Sequence, residues 1–445
     1  MNVKRIKYAT LFLLLSLISL VATACLQVPD LASGEQSRLL GFFERKSGRI
    51  LYAGVDGNIY TNDQGGRDEQ AITADAAFPT QSQPDIPFTY YQLPAWAPNG
   101  QQVAFVRVQG AEQAIESTAI LTTDLSNERS NLTEVFSSST RSPIHLYWSP
   151  DNLNVSFLSR SPVGQFILQM TSADGERTQI LDVGQSLYWS WAPDGQQVLM
   201  HANGATPLAR LAFLSVQGDV VEQKLEYDLS PFQAPAWSPD GSRLALAGAT
   251  DTAERAIIVT DNQGRFEEQI DELEPTQLAA FGWSPNGKKL AYISGANAGG
   301  VAVGQLRVHD VAGDSTRLLI EDQVVAFFWA PNSELLAYFV PLQNPNSDEE
   351  AQQQQALLLS LRLLDLNSGV SNELTVFQPT SAFLNIITSF DQYHRSAQIW
   401  APDSNNLVIS GVISSPNPEI MVVSTEPTLQ PRVIANGLVA FWSEQ

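Results

Sequence analysis

From residue 49 onward, short apolar runs alternate with polar interruptions rich in Gly, Asn and Asp. Runs such as Gln102-Val-Ala-Phe-Val-Arg107, Lys289-Leu-Ala-Tyr-Ile293 and Asn406-Leu-Val-Ile409 are brief, β-branched or aromatic, and bounded by turn formers. That pattern predicts strands. A further run follows each, as in Ile257-Ile-Val-Thr-Asp261 or Leu306-Arg-Val-His-Asp310, and then a weaker one, as in Thr316-Arg-Leu-Leu-Ile320. Short strands punctuated by turns every 8–12 residues predict an all-β architecture. Past the N-terminal apolar segment no helical periodicity stands out.

One phrase paces the alternation. Trp96-Ala-Pro98, Trp148-Ser-Pro150, Trp191-Ala-Pro193, Trp237-Ser-Pro239, Trp283-Ser-Pro285, Trp329-Ala-Pro331 and Trp400-Ala-Pro402 each continue into Asp or Asn and then Gly, Asn or Ser; Trp442-Ser443 begins an eighth copy. The gaps are 52, 43, 46, 46, 46, 71 and 42 residues, a period that belongs to propeller blades. Pro presets φ for the first turn position, Asp or Asn bonds nearby backbone, and Gly closes the hairpin in the left-handed region. Ser333 and Ser404 depart from Gly, so looser turns are expected there.

Four strands per unit, repeated radially, form a β-propeller. Ile50–Ala53, Asn58–Thr61 and Gln70–Thr73 read as the second to fourth strands of a unit whose first strand is missing. Residues 437–442 read as a first strand without the rest. Joined, they complete an eighth blade and leave no free edge. The expectation is an eight-bladed propeller of four-stranded antiparallel blades over residues 49–445, with the 71-residue gap the one place for a degenerate ninth.

The W-[SA]-P-[DN]-G phrases, and the Val/Leu-Ala-Phe/Tyr runs after them, resemble the TolB-like propeller repeat, also called the PD40 or WD40-like repeat. The likeness covers roughly residues 49–445. It implies the fold strongly and a function weakly, because the repeat occurs in periplasmic, surface and enzyme-associated proteins. Two departures from the translocation protein that gives the family its name are eight units and a mere linker between Cys25 and the first strand.

The N-terminus reads as an address. Lys4, Arg5 and Lys7 precede the apolar run Leu11–Val21 and the small residues Ala22-Thr23-Ala24, the layout of a secretory signal peptide over residues 1–24. Cys25, the one cysteine of the chain, stands where a bacterial lipobox places its lipidated residue. The expectation is an exported lipoprotein, anchored to a bacterial membrane through Cys25, with residues 25–48 as tether. Ordinary A-x-A cleavage and an uncut span over Tyr8–Val28 are the competing readings. With one cysteine no intrachain disulfide forms.

Composition narrows the partners. Of 445 residues, 47 are acidic and 25 basic, for a net charge of −22. Beyond the signal peptide 22 basic residues face the same 47, or −25. Such a surface repels nucleic acid and anionic lipid head groups. The search for chemistry returns little. No G-x-S-x-G elbow occurs. The four histidines (His145, His201, His309, His394) fall in separate units, so a metal would have to gather them from different blades, as some propeller lyases do. No phosphate-cradling loop precedes a helix. The turn residues Asp151, Asp194, Asp240 and Asp403 alternate with Asn99, Asn286 and Asn332, and read as turn formers. The repeated tryptophans, and Trp189, read as packing. No cofactor or metal is expected, and the chain reads as non-catalytic.

Long connections concentrate on one face: 77–94, 109–117, 294–304, 342–355 and 378–396 all join second to third strands or one blade to the next. Insertions confined to one face of a repeat array mark its binding face. Two of them are aromatic, giving the candidate binding residues Phe88, Tyr90, Tyr91, Phe390, Tyr393, His394 and Arg395. The competing placement folds these side chains back as plugs. Residues 343–355 are a polar low-complexity run. The leading expectation is a scaffold that binds a protein or envelope partner through this face. A carbohydrate- or peptidoglycan-binding module, a lyase or hydrolase with a channel site, and a purely structural surface protein are the alternatives.

Overall fold

The computed structural model describes residues 47–78, 86–112, 114–126, 131–204, 206–342 and 357–444. The expected signal peptide, Cys25 and all but the end of the tether lie outside these residues, as does the run 343–355.

Strands dominate, and their order is that of a propeller. Five sheets hold four consecutive antiparallel strands each, spanning 88–138 (blade 2), 142–184 (blade 3), 187–225 (blade 4), 236–272 (blade 5) and 277–324 (blade 6). The sixth sheet has ten strands. It contains blade 7 (326–379), blade 8 (406–412, 419–424 and the first half of Arg432–Trp442) and blade 1 (Ile50–Gly54, Ile59–Asn62, Gln70–Ala71). Arg432–Trp442 serves two blades. Its start pairs with Glu419–Val422, and its end pairs antiparallel with Ile50–Gly54, as Ile50↔Trp442 and Ala53↔Val439. Blade 1 is therefore sewn from both ends of the described chain, as expected. Gly437 sits where the strand changes partners, and a Cβ there would stand 2.8 Å from the Ala53 carbonyl oxygen.

The repeated tryptophans are buried, none more than 8% exposed. Their indoles do something the sequence reading did not anticipate. Trp148 Nε1–H donates to the carbonyl of Ala95, Trp283 to Ala236, Trp329 to Gly282, Trp400 to Phe328, and Trp96 to Phe441, at 3.0–3.3 Å. Each acceptor is the residue just before the tryptophan of the preceding blade, and the Trp96 bond ties blade 2 to the C-terminal strand. Each indole thus fills an inter-blade gap with apolar area and satisfies a buried carbonyl with its one donor. Trp191 departs by bonding Ser156 Oγ, which also receives Trp189, and the Trp237 and Trp442 indole N–H groups are buried without a hydrogen-bond partner.

The turns after each tryptophan are alike. In all seven, the Asp or Asn carboxyl or amide oxygen accepts the backbone N–H two residues on, at 2.9–3.1 Å. Ser333 and Ser404 do not loosen them. They adopt φ 61 and 62 and close the hairpin at 2.9 Å, as Gly100 does. Their hydroxyls accept from the turn of the preceding blade, Asn286 N–H to Ser333 Oγ and Asn332 N–H to Ser404 Oγ, both at 3.1 Å. Asn152 does the same for Asn99 N–H at 2.8 Å. A non-glycine in the left-handed region is strained, and the hydrogen bond between blades offsets that strain.

Three further expectations change. The segments 109–117 and 294–304 are prolonged hairpins rather than loops, since their strands run Gln102–Ala111 with Ala114–Asp124 and Lys289–Ala298 with Val301–Asp310. The 71-residue gap adds no ninth blade among the described residues. It contains instead two helices, α1 (Ser381–Thr388) and α2 (Phe390–Tyr393), where no helix was expected. The missed signal is Thr380, whose Oγ1 caps α1 by accepting from Phe383 N–H at 3.1 Å, followed by Phe383, Ile386, Ile387 and Phe390 at helical spacing.

Candidate functional site

The first strand of each blade lines the central channel, where its backbone groups need partners. Segment 380–398 supplies them. Gln392 pairs with both backbone polar atoms of Trp189, accepting its N–H and donating to its carbonyl, each at 2.9 Å. Asp391 Oδ2 accepts from Ala234 N–H at 3.1 Å, and the Arg395 guanidinium donates to the Trp237 carbonyl at 2.6 Å. Phe390 packs its ring 4.7 Å from Phe327. Tyr393 stacks on His145 at 3.9 Å, and Ser396 Oγ meets His145 Nε2 at 3.2 Å. Blades 3, 4, 5 and 7 are thereby bridged by one short segment. For Phe390, Tyr393, His394 and Arg395 the structure gives the second of the two placements: they plug the channel and do not stand on an open face.

Burial sets the ionisation of this plug. The Asp391 carboxyl is pushed up to about 7 by loss of water, against the opposing pull of the Ala234 and Gln392 N–H groups. Burial lowers His145 to about 3, and burial with the neighbouring Arg395 charge lowers His394 to about 4. Both imidazoles are neutral at physiological pH.

Among the described residues a cavity lies at each end of the plug. On the turn side a cavity of about 350 Å³ is rimmed by the turn prolines, among them Pro98, Pro193 and Pro285, with His394, Arg395 and Glu444 on its walls. At the opposite end a cleft of about 320 Å³ is walled by Tyr90, Tyr91, Ile144, Tyr393, Ile386 and Leu438. The sequence-predicted residues thus part company. Tyr90, Tyr91 and Tyr393 meet in the cleft, though they are 303 positions apart at the extremes. Phe88 stands behind Tyr90, ring centroids 6.2 Å apart, and fills the space over Gly110. Phe390 is buried, while His394 and Arg395 belong to the other cavity.

The cleft wall is built with strain. Between Gln92 and Ala95 the first strand of blade 2 slips register in a bulge, and Leu93 within it has φ 54. A γ-branched residue held left-handed is costly, and such outliers gather at functional sites. Tyr91 is fixed edge-on against Phe105 and by its hydroxyl donating to Asp75 Oδ1 at 2.8 Å. Tyr90 is half-buried and stacks on Phe78 at 5.7 Å, leaving one side to the cleft. Among the described residues no Asp, Glu, Lys or Arg lines this cavity.

Of the four histidines, three stand outside any group with metal-ligand spacing among the described residues. His145 and His394 are described above, and His201 Nδ1 lies 2.8 Å from the Gln233 carbonyl. Among the described residues one group of His and carboxylates has metal-ligand spacing, Glu268, His309 and Asp314, where blades 5 and 6 abut. The sequence reading expected no metal site and passed over this one, because its members sit on different blades.

No protein-family model matches the chain, and no curated protein does. Similar solved structures include TolB from Acinetobacter baumannii, 13% identical over 81% of this chain and 83% of that one, with TM-score 0.37. An oligogalacturonate lyase in complex with manganese is 12% identical over 86% of this chain and all of that one, TM-score 0.48. The β-propeller domain of the Trilobed protease from Pyrococcus furiosus is 11% identical over 79% of this chain and 99% of that one, TM-score 0.45. The class follows from the sheet order and the repeated turns: the protein is an eight-bladed β-propeller.

Proposed function

We propose that this propeller is an exported, lipid-anchored and non-catalytic binding protein, and that its tyrosine-walled cleft receives an uncharged apolar segment of a protein partner. The observation that carries this reading is the cleft itself. It is concave, about 320 Å³ in volume, strained at Leu93, and lined by no ionised side chain among the described residues. Aromatic walls that present a rigid apolar face with a polar tip suit a protein anchor residue. General acid–base catalysis needs groups that exchange protons near neutral pH. Burial and Asp75 raise Tyr91, burial raises Tyr393, and His145 is held neutral, so none of the three does so.

A photo-crosslinking residue in place of Tyr90, in cells, tests the cleft. One discrete protein adduct is expected there and none from the same residue in place of the exposed Gln196 on the turn side. Identical adducts at both positions, or adducts to envelope polymer alone, would count against a protein-binding cleft; the second outcome favours the carbohydrate-binding reading. The anchor is tested separately. Wild type should take up a palmitate analogue and Cys25→Ala should not, and equal labelling of the two would sink the lipoprotein assignment.

A further inference from the structure

Three donor groups converge where blades 5 and 6 abut. Glu268 stands near the start of the last strand of blade 5, Phe266–Glu272. His309 is the penultimate residue of Val301–Asp310 in blade 6, and Asp314 lies in the turn that follows. One ligand atom from each lies within 4.8 Å of the others.

His309 is the unusual member. Its side chain is 2% exposed, and its Nε2 faces Glu268 Oε1 at 3.3 Å without making a hydrogen bond. Its other nitrogen, Nδ1, lies 3.1 Å from Thr316 Oγ1. An Nδ1–H donated to that hydroxyl leaves Nε2 as a lone pair aimed at two carboxylates, the arrangement in which a second-shell bond orients a metal-ligating imidazole. Two carboxylates and a lone pair around one point repel unless positive charge stands between them. Arg243, the basic residue nearby, has its Nε engaged by Glu267 at 2.8 Å.

His309 also breaks the repeat. The residue before the last of the third strand is Thr123, Thr171 and Thr260 in blades 2, 3 and 5, as fixed by the pairs Gln102↔Asp124, Asn154↔Ser172, Arg243↔Asp261 and Lys289↔Asp310. Blades 4, 7 and 8 carry Leu214, Leu364 and Val423 at this position, so His309 is the one imidazole in the series, and it stands opposite Glu268 of the neighbouring blade. Asp314 holds φ 43 in its turn, a left-handed conformation that is strained for Asp yet sets its carboxylate at the exposed rim.

We propose that Glu268, His309 and Asp314 bind one divalent transition cation of the zinc class and so clamp blade 5 to blade 6. One imidazole nitrogen with two carboxylate oxygens suits zinc and its neighbours, whereas magnesium and calcium favour all-oxygen sets. Asp314 at the surface gives the ion its entry path, and water completes the coordination.

The test uses the full chain, stripped with chelator and titrated with zinc by calorimetry, with cobalt as a visible-absorption reporter. One equivalent should bind, and a hundredfold excess over Kd should raise Tm by about 3 °C. Asp314→Asn, in an exposed turn, should weaken binding at least tenfold, and His309→Gln at least a hundredfold. Absence of saturable one-to-one binding would overturn the site. So would unchanged affinity in both variants, which would place the metal elsewhere, or magnesium binding as tightly as zinc.

Discussion

The two ends of the channel are built on opposite principles. At the turn end, seven turns repeat one hydrogen-bond scheme, and prolines at equivalent positions rim the cavity. At the other end no two blades contribute alike: a strained bulge at Leu93, Ile144 and Leu146 of blade 3, Leu438 of the C-terminal strand and two helices from the 71-residue gap converge on one cleft. Repetition distributes the work of holding blades together over many equivalent bonds, so no single turn is decisive. The irregular end concentrates its interactions in a few residues that occur once. In a repeat protein, function is to be sought where the repeat is broken, and Tyr90, Tyr393 and His309 all stand at such breaks.

The contrast gives graded expectations. The largest effect should come from removing a whole strand. Deleting residues 437–444 takes away the first strand of blade 1, Trp442 and the carbonyl that receives Trp96. Loss of cooperative melting is expected, by near-ultraviolet circular dichroism. A truncated protein that melts unchanged would mean that the composite blade is dispensable.

An intermediate effect belongs to the plug. Asp391 is buried, and its carboxyl is raised to about 7 from 3.8. A raised carboxyl favours the fold while protonated, so its contribution is complete below about pH 4 and is lost as pH climbs through 7. Asp391→Asn keeps an acceptor for Ala234 N–H without the charge. It should therefore gain on the order of 2 kcal/mol over wild type at pH 8 in urea denaturation, and nothing at pH 4. An equal difference at both pH values would show that the charge of this residue is not what the plug bears.

The smallest effect tests the redundancy of the turn end. Ser404→Ala removes the acceptor of Asn332 N–H and should cost about 1 kcal/mol, the worth of one hydrogen bond. A loss of several kcal/mol would mean that a single turn is decisive after all, and the two ends would then differ less than their architecture implies.

Legibility followed the same divide. The blade number, the strand order and the joining of Ile50–Ala53 to residues 437–442 were readable, because Trp-x-Pro phrases at a fixed period and alternating runs are local consequences of turn chemistry and pleat. The burial of the repeated tryptophans was also readable. Their donation to the carbonyl one residue before the preceding tryptophan was not, since it depends on how adjacent blades stack. Among the candidate residues, aromatic content drew attention to Tyr90, Tyr91 and Tyr393, which share the cleft. It gave no means of separating them from Phe390, His394 and Arg395, which lie deeper in the same plug or in the other cavity. The Thr380 cap and the helical spacing after it were present in the sequence but were outweighed by the surrounding strand pattern.

By itself, then, the sequence determined what is periodic: strands of given length, turns of one type, eight units and the sharing of one unit between the ends. Only the tertiary structure decided which side chains face one another across blades, and so where the channel is plugged, where the tyrosine cleft opens, and that Glu268, His309 and Asp314 share one point. The physical reason is range. Turn and strand preferences are set within a few residues of the chain, whereas a cleft or a ligand set is a coincidence of positions in space that no local pattern records.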